Sequence, residues 1–482
     1  MPLPEQEIDR IVQDVLGQIG YAGRPSDAPR SKAGPSGTPG GVVYPDLEGA
    51  IAQAKSAHRH LLDLGLDARY KMVAAMRQAA RDHAELLGRM AVEETGLGRM
   101  PDKMNKILLA ANKTPGPEDL APAGFSGDAG LTIEEPAPFG VVGVITPSTN
   151  PSSTVVNNAI SLISAGNTVV FCPHPSAKGV CAKAAQILSE AITRAGGPAG
   201  CITILGEPSQ EAAQALMQHK EIDLLVVTGG MAVVKLALTS GKRAICAGPG
   251  NPPVVVDETA LIGKAARDIV QGASFDNNVL CTDEKELFVV DKVASDLKRH
   301  MIAAGAYELK GMEVERLTKL LIAEDRHGRG HRHVNMHREW VGKDPAVLLR
   351  AIDINPPPDV RLLLFEAPWD HPLVMAEQLT PALPLVRCRS VEEAIDHAIT
   401  AEHQFRHTFI MHSTSLPNLS RMAQLCRGNI LVKNGSSLAG LGMGGEGYCT
   451  LTIAGTTGEG LTRARVFSRP RRCTLVDYFR IV

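Results

Sequence analysis

The sequence predicts an α/β fold built on a parallel sheet with helices on both faces, and three observations predict it. Short apolar runs alternate with helix-period segments from Val141 to about Met231, the pattern of a sheet whose strands are joined by helical crossovers. Thr146, Cys172 and Thr228 fall at the carboxyl ends of those runs, where open α/β sheets bind ligands. A further helix-period run (Ile262, Ala265, Ala266, Ile269, Val270, Ala273) passes through a polar stretch into the strand-like Glu286-Leu-Phe-Val-Val290.

In chain order, Ile8, Ile11, Val12, Val15, Leu16 and Ile19 recur at helical spacing with polar residues opposite. A helix of about three turns is marginal in water unless its apolar face docks. Residues 21–41, rich in Gly, Pro and Ser, read as a flexible linker with a reach of roughly 25 Å. Residues 1–20 are therefore expected to be a tethered docking helix, the alternative being a helix folded back on the body. They lack the basic start and continuous apolar centre of a secretory signal.

From Val42 to about Glu94 the pattern is helical and alanine-rich. After Pro138 come strand 141–145, a helix through Ala159 and Ile163, strand 168–172, helix 178–195, strand 201–205, helix 210–218, strand 224–228 and a helix from about Met231.

The chain of 482 residues has room for roughly two to four domain-sized units. A net charge of −2 points to neither a nucleic-acid nor a membrane-surface partner. No apolar run approaches the roughly 20 residues of a membrane span. The nine cysteines are scattered without a CxxC pair, which fits a reducing cytoplasm rather than a disulfide framework or a zinc site.

Three places carry chemistry. Cys281 lies in a polar helix-to-strand connection, where a thiol can face a cleft, although free cysteines are often small buried hydrophobes. Asn150 follows the first strand of the sheet, so its carboxamide can donate to a developing oxyanion or cap the next helix. Thr228-Gly229-Gly230 joins a strand to a helix N-terminus, a seat for phosphate or simply a tight turn.

These residues, with Glu377-Gln-Leu-Thr-Pro381, stand in an order and spacing that resemble the aldehyde dehydrogenase superfamily from Val42 to Val482. The words Ile145-Thr-Pro-Ser-Thr-Asn-Pro151, Cys172-Pro-His-Pro175, Ala247-Gly-Pro-Gly-Asn-Pro-Pro253, Gly444-Gly-Glu-Gly-Tyr448 and Ile453-Ala-Gly-Thr-Thr-Gly458 are similar to its CoA-acylating branch, the propionaldehyde and acetaldehyde dehydrogenases of bacterial microcompartments. The resemblance implies a Rossmann-type cofactor domain, an α/β catalytic domain and a small β oligomerisation arm. It implies Cys281 as nucleophile and Asn150, with the Cys281 backbone N–H, as oxyanion hole. Glu377 would hold the nicotinamide ribose with Leu379 against the ring, and Thr146, Pro147, Cys172, His174, Pro175, Thr228, Gly229 and Gly230 would line the dinucleotide groove. NAD is the implied cofactor and coenzyme A the co-substrate.

One departure is informative. Hydrolytic members carry a water-activating glutamate in a Glu-Leu-Gly-Gly word, and the corresponding stretch here, Ile245-Cys246-Ala247-Gly248-Pro249-Gly250, offers no carboxylate. Water then lacks its general base, and a thioester can wait for the thiol of coenzyme A. The expected reaction is oxidation of a short aldehyde to its acyl-CoA. The alternatives are hydrolysis to the free acid and a catalytically inactive assembly component. For a lowered Cys281 pKa, Lys285 and the preceding helix are both candidates.

The boundaries expected are 1–20 docking helix, 21–41 linker, 42–247 cofactor domain with 123–137 in the arm, 248–435 catalytic domain, and 436–482 return segment and arm. Pro470 disfavours a central strand, and the arm implies a homodimer or homotetramer. The histidines within 326–337 sit among glycines and arginines and read as a solvated loop rather than a metal site. Phe405, His407 and Phe409 are candidates for the cleft, or simply alternate as a half-buried strand does, and 428–432 reads as a returning strand. The family's tethered helices dock enzymes to the shell or core of the microcompartment, which is the role expected of residues 1–20.

Overall fold

The computed structural model describes residues 41–323 and 335–480. Residues 1–20, expected to be a docking helix, residues 21–40 of the expected linker and most of the histidine-rich 326–337 stretch lie outside the described residues.

Val141–Thr146 is buried at all six positions, as a strand covered on both faces must be. It lies in a six-stranded parallel sheet ordered Val43–Tyr44, Ile202–Leu205, Thr168–Pro173, Val141–Thr146, Leu224–Thr228, Ala244–Ala247. The chain builds from Val141–Thr146 through Thr168–Pro173 to Ile202–Leu205, then returns to add Leu224–Thr228 on the opposite side. Ile145 pairs with Val227, so Thr146 and Thr228 end the two strands that flank this reversal. A crevice opens at such a switch point.

Where the sequence pattern is wholly helical from Val42 to Glu94, the structure has one edge strand, Val43–Tyr44, before helices Leu47–Leu62, Leu66–Asp82 and Ala84–Thr95. Two residues are too few to register as a period. Asp46 caps the first of these helices by accepting from Gly49 N at 2.7 Å.

A second, seven-stranded parallel sheet runs Ala306–Glu308, Leu362–Glu366, Ala382–Cys388, Glu286–Val290, Pro253–Val256, Thr408–His412, Ile430–Lys433. Its central strand, Glu286–Val290, is the one Cys281 leads into. Helix Ile262–Ala273 buries Ala265, Ala266, Ile269, Val270 and Ala273, with each Ile or Val contributing about 1.5–3 kcal/mol. That anchors the start of the cysteine loop as the strand anchors its end.

Helix Pro151–Ser164 is buried along its whole length, which an amphipathic surface helix never is. Asn157, on its polar side, donates to Thr114 Oγ1 at 2.9 Å and accepts from Leu451 N at 3.0 Å. Asn150, at its mouth, is thereby fixed in the interior.

Ala123–Gly127, Gly130–Pro138 and Ser468–Val476 form an antiparallel three-stranded arm. Ser468–Val476 is an edge strand, where Pro470 costs no ladder hydrogen bond.

Candidate active site

The cysteine loop departs from helix Ile262–Ala273 through three consecutive residues in the left-handed region, Asp276, Asn277 and Asn278, with φ of 47°, 54° and 65°. Asp and Asn tolerate this conformation best among residues with a Cβ. Their side chains also lock the turn. Asn278 donates to Ala273 O and Glu284 O, both at 2.9 Å, and Asn277 donates to Gly342 O at 3.0 Å. The buried Lys285 ammonium donates to Asn278 O, Asn278 Oδ1 and Leu280 O at 2.7, 2.6 and 3.3 Å. Gln378 donates to Lys285 O at 2.6 Å, and Glu284 accepts from Ser437 N and Oγ at 2.8 and 2.7 Å. A half-buried thiol is thus held on an over-determined loop.

Burial pushes the Cys281 thiol up to about 12, Glu377 adds to this, and Lys285 opposes it. Lys285 therefore has the expected sign and loses to the two larger effects. The preceding helix does not help, because the loop leaves its C-terminal end, whose partial negative charge disfavours a thiolate. The ligand-free enzyme holds a protonated thiol, and alkylation by iodoacetamide should be slow at pH 7. It should accelerate about tenfold per pH unit without a plateau near neutrality, since only the thiolate reacts. A rate that levels off below pH 8 contradicts this.

Gly250 forms the adjoining wall. A Cβ placed there would come within 2.7 Å of Cys281 O and 2.9 Å of His407 Cγ, so no side chain fits. His407 stands at the foot of strand Thr408–His412, buried, with Nδ1 2.9 Å from Thr408 Oγ1 and Nε2 without a partner. Burial first and Lys285 second push its pKa down to about 4, which keeps the ring neutral at physiological pH. Glu377 accepts from Gly250 N at 3.2 Å, and burial raises its pKa against the pull of Lys285. Leu379, two residues on, has φ of 48°, a strained position of the sort found at ligand clamps. Gly250, Cys281, Lys285, Glu377 and His407 are therefore one cluster.

Asn150 occupies the N-cap position of helix Pro151–Ser164, yet its side chain makes no capping bond. Its Oδ1 instead accepts from Lys106, which also pairs with Asp276 of the cysteine loop. Lys103 binds the same Asp276 carboxylate at 2.9 Å. Burial outweighs that carboxylate and brings the Lys103 pKa down to about 8. Both lysines stand on helix Met100–Lys113. The sequence reading passed over them; their only signal was a shared helical face with Ile107 and Ala110.

The residues expected to line a dinucleotide groove divide into two sets. Thr146, Pro147, Thr228, Gly229 and Gly230 stand at the sheet's switch point, with Thr228 Oγ1 3.1 Å from Thr452 Oγ1. Helix Met231–Leu238 has no side-chain cap at its N-terminus, whereas Ser209 caps helix Gln210–Gln218. Open first-turn amides suit a pyrophosphate. His174 and Pro175 are exposed beside this edge, with His174 Nδ1 2.8 Å from Ser176 Oγ. Cys172 differs: its side chain is buried in an apolar cluster with Ile145, Val170 and Leu205. That thiol faces the core, as does the Thr146 hydroxyl, 3.8 Å from Cys181 Sγ, so these two residues can offer a groove only their backbone.

The aldehyde dehydrogenase family model matches residues 42–335. Acetaldehyde dehydrogenase (acetylating) EutE of Salmonella typhimurium is 46% identical over 480 residues, 99% of this chain and 100% of that protein. The solved structure of Rhodopseudomonas palustris propionaldehyde dehydrogenase with bound propionyl-CoA is similar with a TM-score of 0.87 at 45% identity, covering 90% of this chain and 95% of that one. A propionaldehyde dehydrogenase from the Clostridium phytofermentans fucose utilisation bacterial microcompartment has a TM-score of 0.88 at 43% identity, covering 91% and 99%. With a family match over more than half its length and relatives spanning nearly all of it, the chain belongs to the aldehyde dehydrogenase family.

Proposed function

We propose that the protein is a CoA-acylating aldehyde dehydrogenase, oxidising a short-chain aldehyde with a nicotinamide dinucleotide and coenzyme A to the acyl-CoA. The observation that carries this reading is the wall beside Cys281. There the 245–250 loop supplies only backbone and a glycine with no room for a side chain, and a neutral His407 fills the adjoining space. The acetylating relative and the relative holding propionyl-CoA support the same chemistry.

Cys281, protonated in the ligand-free enzyme, attacks the aldehyde carbon through its thiolate fraction after its proton has passed to solvent, with the developing oxyanion received by the Asn150 amide and the Cys281 N–H. One such donor is worth about 3–4 kcal/mol. A nicotinamide dinucleotide, when bound, would supply the hydride acceptor; Glu377 and Leu379 would hold its ribose and ring, and Thr146, Pro147 and Thr228–Gly230 would receive the rest of the dinucleotide. The thioester left on Cys281 meets no carboxylate from the 245–250 loop to activate water. His407 Nε2, neutral and without a partner, takes the proton of the incoming CoA thiol; the CoA sulfur bonds to the acyl carbon as the Cys281 S–C bond breaks, and the departing Cys281 thiolate recovers the proton from His407. Of the carboxylates acting on the thiol, Glu377 acts more strongly than Asp283, and the hydrolytic alternative requires one of them to serve water.

The test is NADH formation from propionaldehyde with and without coenzyme A, followed by product identification. Strong dependence on CoA with propionyl-CoA as product is expected. His407→Ala should keep the first-turnover burst of NADH and slow later turnovers by about 10²-fold or more, as loss of a general base does. Turnover to propionate without CoA refutes the acylating reading.

The three-stranded arm exposes Phe125, Leu475 and Val476, and the chain just after it exposes Tyr478 and Phe479. Apolar exposure on a peripheral sheet supports its use in pairing subunits, as a homodimer or homotetramer. Residues 1–20 are proposed to dock the enzyme to a microcompartment shell or core protein. Deleting them should leave turnover unchanged and abolish co-purification with shells; a truncated enzyme that still co-purifies refutes the docking role.

A further inference from the structure

Lys103 and Lys106 are one turn apart on helix Met100–Lys113, 3% and 1% exposed, and share the single carboxylate of Asp276, itself fully buried. Two ammonium groups facing one carboxylate leave an excess positive charge in the interior, which is costly unless oxygen atoms receive the remaining protons. The remaining carboxylate capacity is used elsewhere, since Asp276 Oδ1 accepts from Arg99 N at 2.7 Å. Lys103 is completed by Thr149 O at 2.6 Å, and Lys106 by Asn150 Oδ1. The excess charge is therefore delivered to the Thr149–Asn150 loop.

This contact fixes which way the Asn150 amide faces. An ammonium has three donors and no acceptor, so the Asn150 atom it touches must be the oxygen. The amide nitrogen is then left as the free end, with one long contact to Thr149 Oγ1 at 3.3 Å. A cation on the carbonyl oxygen also draws charge from the NH₂ and strengthens it as a donor. The same ammonium binds Asp276, five residues before Cys281, so one side chain sets the oxyanion donor against the loop that carries the nucleophile.

We propose that Lys106 is a positioning residue for the acylation step, holding the Asn150 carboxamide by its oxygen so that the NH₂ is presented, polarised, to the oxyanion formed at Cys281. The inference rests on the reading of Asn150 as oxyanion donor. It gives Lys106 no contact with the aldehyde, so its removal should lower kcat rather than weaken aldehyde binding.

The test is a double-mutant cycle on the full-length enzyme with Lys106→Met and Asn150→Ala, measuring kcat, KM for propionaldehyde and thermal unfolding. K106M keeps the apolar stem, and Asp276 retains Lys103. K106M alone should lower kcat by about 10–10²-fold with KM little changed, because an unfixed amide loses part of the ~10²–10³-fold owed to an oxyanion donor. In the N150A background the same substitution should change kcat by less than about threefold, since groups acting through one another are not additive. Lys106→Arg, which keeps charge and donors, should recover most of the loss. The proposal is overturned if K106M leaves kcat unchanged, or if its full effect recurs in N150A, where a general structural role would still be felt. If N150A itself leaves kcat unchanged, the oxyanion assignment fails instead. Should K106M not fold, Lys106→Leu, which likewise keeps an apolar stem and carries no donor, takes its place in the cycle with the same outcomes decisive.

Discussion

Cys281→Ala is expected to eliminate NADH formation from any short aldehyde, a fall of at least about 10⁴-fold in kcat. The size follows from the covalent route, because without a nucleophile there is no hemithioacetal to give up hydride and no thioester to pass to a thiol. Removing the thiol should cost little stability. It is half-buried and free, and the loop is held by Asn278, Lys285 and Glu284 rather than by sulfur. Thermal unfolding within about 2 °C of the parent, with no acyl adduct by mass after incubation with aldehyde and cofactor, completes the expected result. Residual aldehyde oxidation within about 10²-fold of the parent sinks the nucleophile assignment.

Asn150→Ala should lower kcat by about 10²–10³-fold, the usual consequence of losing one oxyanion donor. The side chain is 5% exposed and does not cap its helix, so the loss is not that of a cap. Asn150→Asp separates activity from stability. Its carboxylate can pair with Lys106 and leave the melting temperature unchanged or raised, yet it places negative charge where negative charge develops. Its kcat should fall at least as far as that of the alanine variant. An aspartate variant more active than the alanine variant contradicts the oxyanion role.

The strands of the first sheet were legible because 141–146, 168–173 and 224–227 are buried on both faces and spell largely apolar runs. Val43–Tyr44 was not, being shorter than any period, nor were Ala244–Ala247 and Pro253–Val256, which flank a proline- and glycine-rich turn. Cys281 and Asn150 stood out through order and spacing, as did the missing carboxylate near Gly250. His407 was ambiguous because alternation describes a strand and says nothing of an unpartnered ring nitrogen. Cys172 was misplaced into the groove because a strand's end marks a site without saying which face its side chain takes. Lys106 was out of reach. A lysine on a helix ordinarily reads as solvated surface, and its partner Asp276 is 170 residues away.

The left-handed turn at Asp276–Asn278 bears on any attempt to retune this enzyme for larger aldehydes. It adjoins the nucleophile and so invites randomisation in a directed-evolution library, yet most of the alphabet is closed there. β-Branched residues would pay for positive φ at each position. Glycine would accept the backbone and forfeit the bonds from Asn277 to Gly342 and from Asn278 to Ala273 and Glu284. Libraries that keep Asp276, the partner of Lys103 and Lys106, and confine codons 277 and 278 to Asn, Asp and Gly, with diversity spent on other walls of the cleft, should return far more folded clones than saturation of the loop.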